Sequence, residues 1–113
     1  MQILQKKLSM DELTSIAPNF FQDMVKAVVD VKRELLALDA QMHSDLEAFL
    51  LDQGSKQEDL WGINLHLGKG DKEFVEFHSM INLRPRQGNR TRGVEDPSMQ
   101  VKITQVVDKW IKR

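Results

Sequence analysis

Residues 60–83 constrain the fold more than any other stretch. Leu60-Trp-Gly-Ile-Asn-Leu-His-Leu67 alternates, with Trp61, Ile63, Leu65 and Leu67 on one side and Gly62, Asn64 and His66 on the other. Gly68-Lys-Gly-Asp-Lys72 reads as a turn, after which Val75, Phe77, Ile81 and Leu83 share a face opposite Glu76, His78 and Asn82. Period-two alternation on both sides of a glycine-rich turn predicts an antiparallel hairpin with one buried face.

The rest of the chain supplies partners for that hairpin. Ile3, Leu4 and Leu8 suggest a short edge strand. Ser9-Met-Asp-Glu12 has capping-box spacing, so a helix starts there, and Pro18 ends it. Residues 20–38 admit two patterns. Phe21, Met24 or Val25, Val28, Val31 and Leu35 would line one face of a long helix. Alternatively, Val25, Ala27, Val29 and Val31 alternate with Lys26 and Asp30, and Leu35–Leu38 returns as a second strand. The valine-rich composition favours the hairpin, although Lys32-Arg33-Glu34 lacks the Gly, Asn or Asp of a tight turn. Ser44-Asp-Leu-Glu47 is a second capping box, Leu46, Phe49 and Leu50 share a helix face, and Gly54 stands where a left-handed cap belongs. Asp96-Pro97 opens a last helix with Met99, Ile103, Val106 or Val107, and Trp110 on its inner stripe, and Lys109, Lys112 and Arg113 at its negative end. The prediction is an α+β fold in a single domain over residues 1–113. It has a mainly antiparallel sheet of four to five strands, in two hairpins, and about three helices.

The composition agrees with a globular domain, at 41% hydrophobic and 29% charged residues. Without cysteine there are no disulfides, zinc thiolates or thiol nucleophiles. No apolar run has signal-peptide or membrane-span length, so the expectation is a soluble cytoplasmic protein without a membrane partner. The net charge of −1 hides a division. Residues 1–83 carry 8 Lys and Arg against 14 Asp and Glu, a net of −6, whereas residues 84–113 carry 8 against 3, a net of +5. Such asymmetry marks either an anion-binding face or two halves that neutralise each other.

Asp59-Leu-Trp-Gly-Ile-Asn-Leu65, Ser79-Met-Ile-Asn-Leu-Arg-Pro85, Gln87-Gly-Asn-Arg90 and Glu95-Asp-Pro97 resemble a small prokaryotic family catalogued as a domain of unknown function, of the 5674 type. Met24–Asp30 and His43–Glu47 share in the resemblance, which covers nearly the whole chain. It implies a single-domain α+β protein and supplies no activity, cofactor or assigned site.

Familiar chemistries fit poorly. A hairpin turning at Gly68–Lys72 puts His66 opposite about Phe74 and His78 opposite about Gly62, roughly 13 Å apart along the strand and too far to share one metal ion. His43 and Glu47 have helical spacing but lack the second histidine of a His-Glu-x-x-His site. Ser44 and Ser79 lie in no nucleophile elbow. Gly68-Lys-Gly-Asp precedes a strand where a phosphate-binding loop would precede a helix. Asn89-Arg-Thr91 matches a glycosylation acceptor but has no secretory signal before it. No metal or cofactor is expected.

What remains is the stretch from Ile81 to Asp96. Arg84, Arg86, Arg90 and Arg92 fall within nine positions, with Gln87 and Asn89 among them, and Pro85, Gly88 and Gly93 keep the segment irregular. Guanidinium forks suit phosphates and carboxylates. The expected function is therefore binding of an anionic ligand (RNA, a nucleotide or phosphorylated molecule, or an acidic partner segment), with Gln87 and Asn89 giving direction. One alternative is a protein–protein assembly or homodimer module in which oppositely charged halves meet. Another is a metal-independent ribonuclease or phosphodiesterase using His43 or His78, with Glu47 nearby. Against all three stands the plainer reading that Arg84 and Arg90 brace the loop internally.

Overall fold

The computed structural model describes residues 1–113. In chain order the elements are β1 (Gln2–Ile3), β2 (Leu8–Ser9), α1 (Met10–Ile16), β3 (Met24–Asp30), β4 (Leu35–Leu38), α2 (His43–Asp52), β5 (Leu60–His66), α3 (Asp71–Phe74), β6 (Val75–Glu76), α4 (Pro97–Trp110) and β7 (Ile111–Lys112). Short 3₁₀ turns occupy Ala17–Asn19, Gln57–Asp59, Met80–Asn82 and Pro85–Gln87. Five strands form one sheet in the order β1-β4-β3-β5-β6, antiparallel throughout, and β2 and β7 pair separately in parallel. The fold is α+β, as the patterning predicts.

Residues 24–38 form the hairpin and not the long helix. Its turn does contain an aspartate, placed at the strand end. Asp30 is fully buried, and its Oδ1 accepts from the Lys32 and Arg33 amides at 3.0 and 2.9 Å. Its Oδ2 accepts from the Ser55 hydroxyl at 2.6 Å. Glu34 completes the reversal in a left-handed conformation, at φ +55°.

Both faces of the central strands are covered, where the alternation of β5 predicts only one. On one face Val25, Ala27, Val29, Leu36, Leu38, Trp61, Ile63 and Leu65 pack with Leu13 of α1 and Ile103, Val106 and Val107 of α4. On the other, Val28, Ala37 and Leu60 pack with Ala40 and with Leu46 and Leu50 of α2. Each buried leucine contributes about 1.5–3 kcal/mol to holding α2 down. The helix covers only part of that face, and the uncovered part carries polar side chains.

The two capping boxes have different outcomes. At α1, Ser9 and Glu12 cap each other's backbone reciprocally. At α2, Ser44 is not the cap: the helix already includes His43, the N-cap is Met42, and no side chain caps the first turn. The reason is a contact with the sheet. The buried His43 ring donates from Nε2 to the Ile63 carbonyl at 2.8 Å, which draws the first helical residue onto the sheet. Gly54 follows the helix at φ +96°, the expected left-handed stop.

The second hairpin keeps its predicted register but not its length. Asn64 faces Glu76 and Leu65 faces Val75, yet β6 contains only Val75 and Glu76, and Asp71–Phe74, which overlaps only the last two residues of the expected turn, is helical. Beyond Glu76 the chain leaves the ladder, and a side chain takes the place of the missing strand. Asn82 accepts from the Gly62 N–H at 2.8 Å and donates to the Gly62 carbonyl at 2.9 Å. Ile81 and Leu83 therefore do not extend the strand; Ile81 packs toward α2 and Leu83 is exposed. The final helix also stops earlier than its cationic end suggests. Ile111 and Lys112 leave it to pair with Leu8 and Ser9. Arg113 reaches Asp108 at 2.6 Å. No helix is long and apolar enough to cross a membrane.

Gly62 is required by this crossing. A Cβ there would lie 2.5 Å from Ser79 Cβ and 3.2 Å from Ile81 Cγ1. Gly62→Ala is expected to cost roughly 1–3 kcal/mol through overpacking, read as a lower urea midpoint with an unchanged slope. An unaltered midpoint would mean that residues 79–82 do not press on β5.

Candidate functional site

The arginine segment is a braced loop. Arg84 lies over Trp61, with its guanidinium carbon 4.4 Å from the ring centroid. It donates from Nε to the Ile81 carbonyl at 2.9 Å, from Nη1 to the Gln57 carbonyl at 2.5 Å and to Gln87 Oε1 at 3.2 Å, and from Nη2 to the Leu60 carbonyl. Burial pushes its pKa below the ordinary value, and the negative charge of Glu47 opposes that shift. Glu47 stands one helical turn after His43, and its Oε2 is buried without a hydrogen-bond partner. Arg84 thus braces the loop internally and ties it to β5 through main-chain carbonyls.

Asn89 and Gln87 are also committed to the chain itself. Asn89 is buried; its amide donates to the carbonyls of Asn82, Thr91 and Gly93 at 2.7–3.0 Å and accepts from the Glu95 N–H at 2.9 Å. Gln87 donates to the Glu58 carbonyl at 2.7 Å. The acidic residues of the loop are occupied by backbone. Glu95 Oε2 accepts from the Arg90 and Thr91 amides, and Asp96 caps α4 through Ser98. Hydrogen bonding to Ser98 also holds the Asp96 carboxyl below its ordinary range. Arg86, Arg90 and Arg92 remain exposed, and none forms an ion pair. Arg84 and Arg86 line an open hollow of about 460 Å³ with Gln57, Pro85 and Gln87. Arg90 and Arg92 do not line it.

A second hollow, of about 210 Å³, lies on the sheet face that α2 leaves uncovered. Lys26, His43, Ser44, Asn64, His78 and Ser79 line it, with Met42, Met80 and Ile81 as its apolar part. The strand register sets its floor, because Lys26 and Asn64 face each other across β3 and β5. Two of the histidines named from sequence therefore meet here, but no arginine joins them. His66 is elsewhere, 2.9 Å from Glu76 Oε1, a bond that lowers the Glu76 pKa. Lys26 and Asn64 are the residues that sequence reading passes over, and Ser79 is weighed there only as a nucleophile. Their only signal is that Lys26 and Asn64 are polar positions in otherwise apolar alternation.

The chain matches, over residues 2–110, the family described as "Protein of unknown function (DUF5674)". It belongs to that family. No curated protein and no solved structure matches this DUF5674 chain.

Two predictions follow from the geometry of the DUF5674 site. Arg84→Lys is expected to lower stability by about 1–3 kcal/mol, since the partly buried Ile81 and Leu60 carbonyls lose their donors. Arg90→Lys should change it by no more than about 0.5 kcal/mol. Chemical denaturation of the two variants distinguishes a brace from a free cation. The buried His43 also carries a pH dependence. Desolvation holds its pKa below 6.5, the positive charge of Lys26 adds to that, and the bond to Ile63 opposes it. The unfolded chain takes up this proton near 6.5 and the folded chain resists it, so the stability present above that pH is lost as the pH falls through it. The slope should not exceed about 1.4 kcal/mol per pH unit, and His43→Gln should flatten it in unfolding curves between about pH 7.5 and about pH 5.5.

Proposed function

We propose that this protein binds a phosphate-bearing polymer, with single-stranded RNA as the reference ligand, through Arg86, Arg90 and Arg92. The observation that carries this reading is that these three guanidiniums are exposed and unpaired while the loop's own carboxylates are bonded to backbone amides. Arg84, Gln87 and Asn89 supply the rigidity and Arg86, Arg90 and Arg92 supply the charge. A loop fixed beforehand loses less entropy on binding. Because Gln87 and Asn89 are committed to main-chain groups, they are not free to read base edges, and no aromatic residue interleaves the arginines for stacking. The contact is thus with phosphate and indifferent to base sequence.

The ribonuclease alternative lacks geometric support, because no arginine lines the hollow that His43 and His78 share. The homodimer alternative rests on the charge division alone, and solution mass at low and high salt tests it.

Fluorescence anisotropy of a labelled single-stranded RNA against salt tests the main reading. Three phosphate contacts give a slope of log affinity against log salt near −2, at about −0.7 per contact. Changing Arg86, Arg90 and Arg92 together to Gln should remove most of that slope. The proposal is overturned by absence of binding at low salt, or by a slope that the triple variant leaves intact.

A further inference from the structure

We propose that the hollow at the N-terminal turn of α2 is a binding site for a small phosphorylated molecule that carries a hydroxyl beside its phosphate. It uses different residues from the arginine loop and does not depend on it. The first observation is the lining. Lys26, whose ammonium lies 5.2 Å from the Phe21 ring centroid, and His78 supply basic groups; Ser44 presents an exposed hydroxyl, Ser79 is buried with its Oγ accepting from the Ile81 amide, and no Asp or Glu lines the hollow. Glu76 is the carboxylate bonded to this group, and it is occupied by Asn64 Nδ2 and His66, both at 2.9 Å. The ten-residue helix α2 begins at the hollow with no side-chain cap; its Asp45 amide bonds to the Met42 carbonyl at 3.2 Å, and Ser44 precedes that bonded position. Point-charge lysine, hydroxyls and helix amides suit a tetrahedral phosphate, and the planar fork that favours carboxylates is missing.

The second observation is independent of the helix. Asn64 is 6% exposed and lines the hollow; its Nδ2 is fully engaged, whereas its Oδ1 is buried without a hydrogen bond of ordinary geometry and has the His43 ring as a polar neighbour. His43 adds to this shortage of donors. Its Nε2–H is committed to the Ile63 carbonyl, so in the neutral ring Nδ1 is also an acceptor. A buried acceptor left unmatched is costly, and a ligand O–H would satisfy it. Donors for the phosphate and an acceptor for a hydroxyl thus occur in one cavity. Its volume of about 210 Å³ lies below the roughly 300–1,000 Å³ of drug-sized pockets. That room suits a short phosphorylated polyol. Met42 and Met80, 54% and 62% exposed at the rim, are flexible thioethers able to close over the carbon backbone of such a ligand.

The test is an amide-shift titration of the full chain with glycerol phosphate, ribose phosphate, inorganic phosphate, glycerol and ribose. Saturable shifts at Ser44, Asp45 and the Asn64 side-chain amide are expected with the two phosphorylated polyols. Inorganic phosphate should bind more weakly, and the phosphate-free parents should not bind. Lys26→Gln should weaken binding about tenfold or more. Ser44→Asp places a carboxylate at an exposed first-turn position that the helix dipole favours, so the fold is retained and the anion is repelled. The inference is overturned if no phosphorylated probe saturates, if Lys26→Gln and Ser44→Asp leave the affinity unchanged, or if inorganic phosphate binds as tightly as both polyol phosphates.

Discussion

The pairing of the Asn82 side-chain amide with the Gly62 peptide holds residues 79–93 against the sheet. β5 needs a partner along its outer edge, and β6 provides one for only two residues. Where the ladder would otherwise end with orphaned groups, Asn82 supplies an acceptor and a donor at strand geometry, 2.8 and 2.9 Å from the Gly62 N–H and carbonyl. Its Nδ2 also donates to the Arg92 carbonyl at 3.1 Å, and its own carbonyl accepts from Asn89 at 2.7 Å. The arginine loop is thus attached to the sheet through two consecutive asparagine amides. Buried amides of this kind stay stable only when nearly every valence is used, which is the state of both residues here.

The same crossing separates two electrostatic environments. On one side of it Arg84 lies flat on Trp61, bonded to carbonyls of residues 57, 60 and 81. On the other side Ser79, Met80 and Ile81 wall the hollow that contains Lys26, His43 and His78. Both environments are cationic, but they differ in kind. One shows exposed, unpaired guanidiniums on a loop braced through main-chain groups. The other is concave and mixed in polarity. The excess of acidic residues before position 84 does not neutralise either by direct ion pairing, because none of the ion pairs in the molecule involves Lys26, Arg86, Arg90 or Arg92.

Sequence patterning predicts the register of the second hairpin, the first capping box, the left-handed Gly54 and the stripe of α4, because each depends on neighbours only a few residues away. It misjudges the features set by distant contacts. Ser44 has the spacing of a cap, but the bond from His43 to Ile63 moves the helix start. Ile81 and Leu83 have the spacing of strand residues, but Asn82 completes the edge first. The arginine cluster is plain in the composition, yet which guanidinium is structural depends on carbonyls more than twenty positions upstream. Lys26 and Asn64 become neighbours only through the β3–β5 register, which no local pattern encodes.

The parallel pair of Leu8 and Ser9 with Ile111 and Lys112 joins segments about as far apart as 113 residues allow. Closing so long a loop is entropically expensive and slow compared with forming hairpins. The antiparallel sheet closes through shorter loops than this pair does, and Leu8, which shares its cluster with Leu13 of α1, is paired only when Ile111 is brought against it.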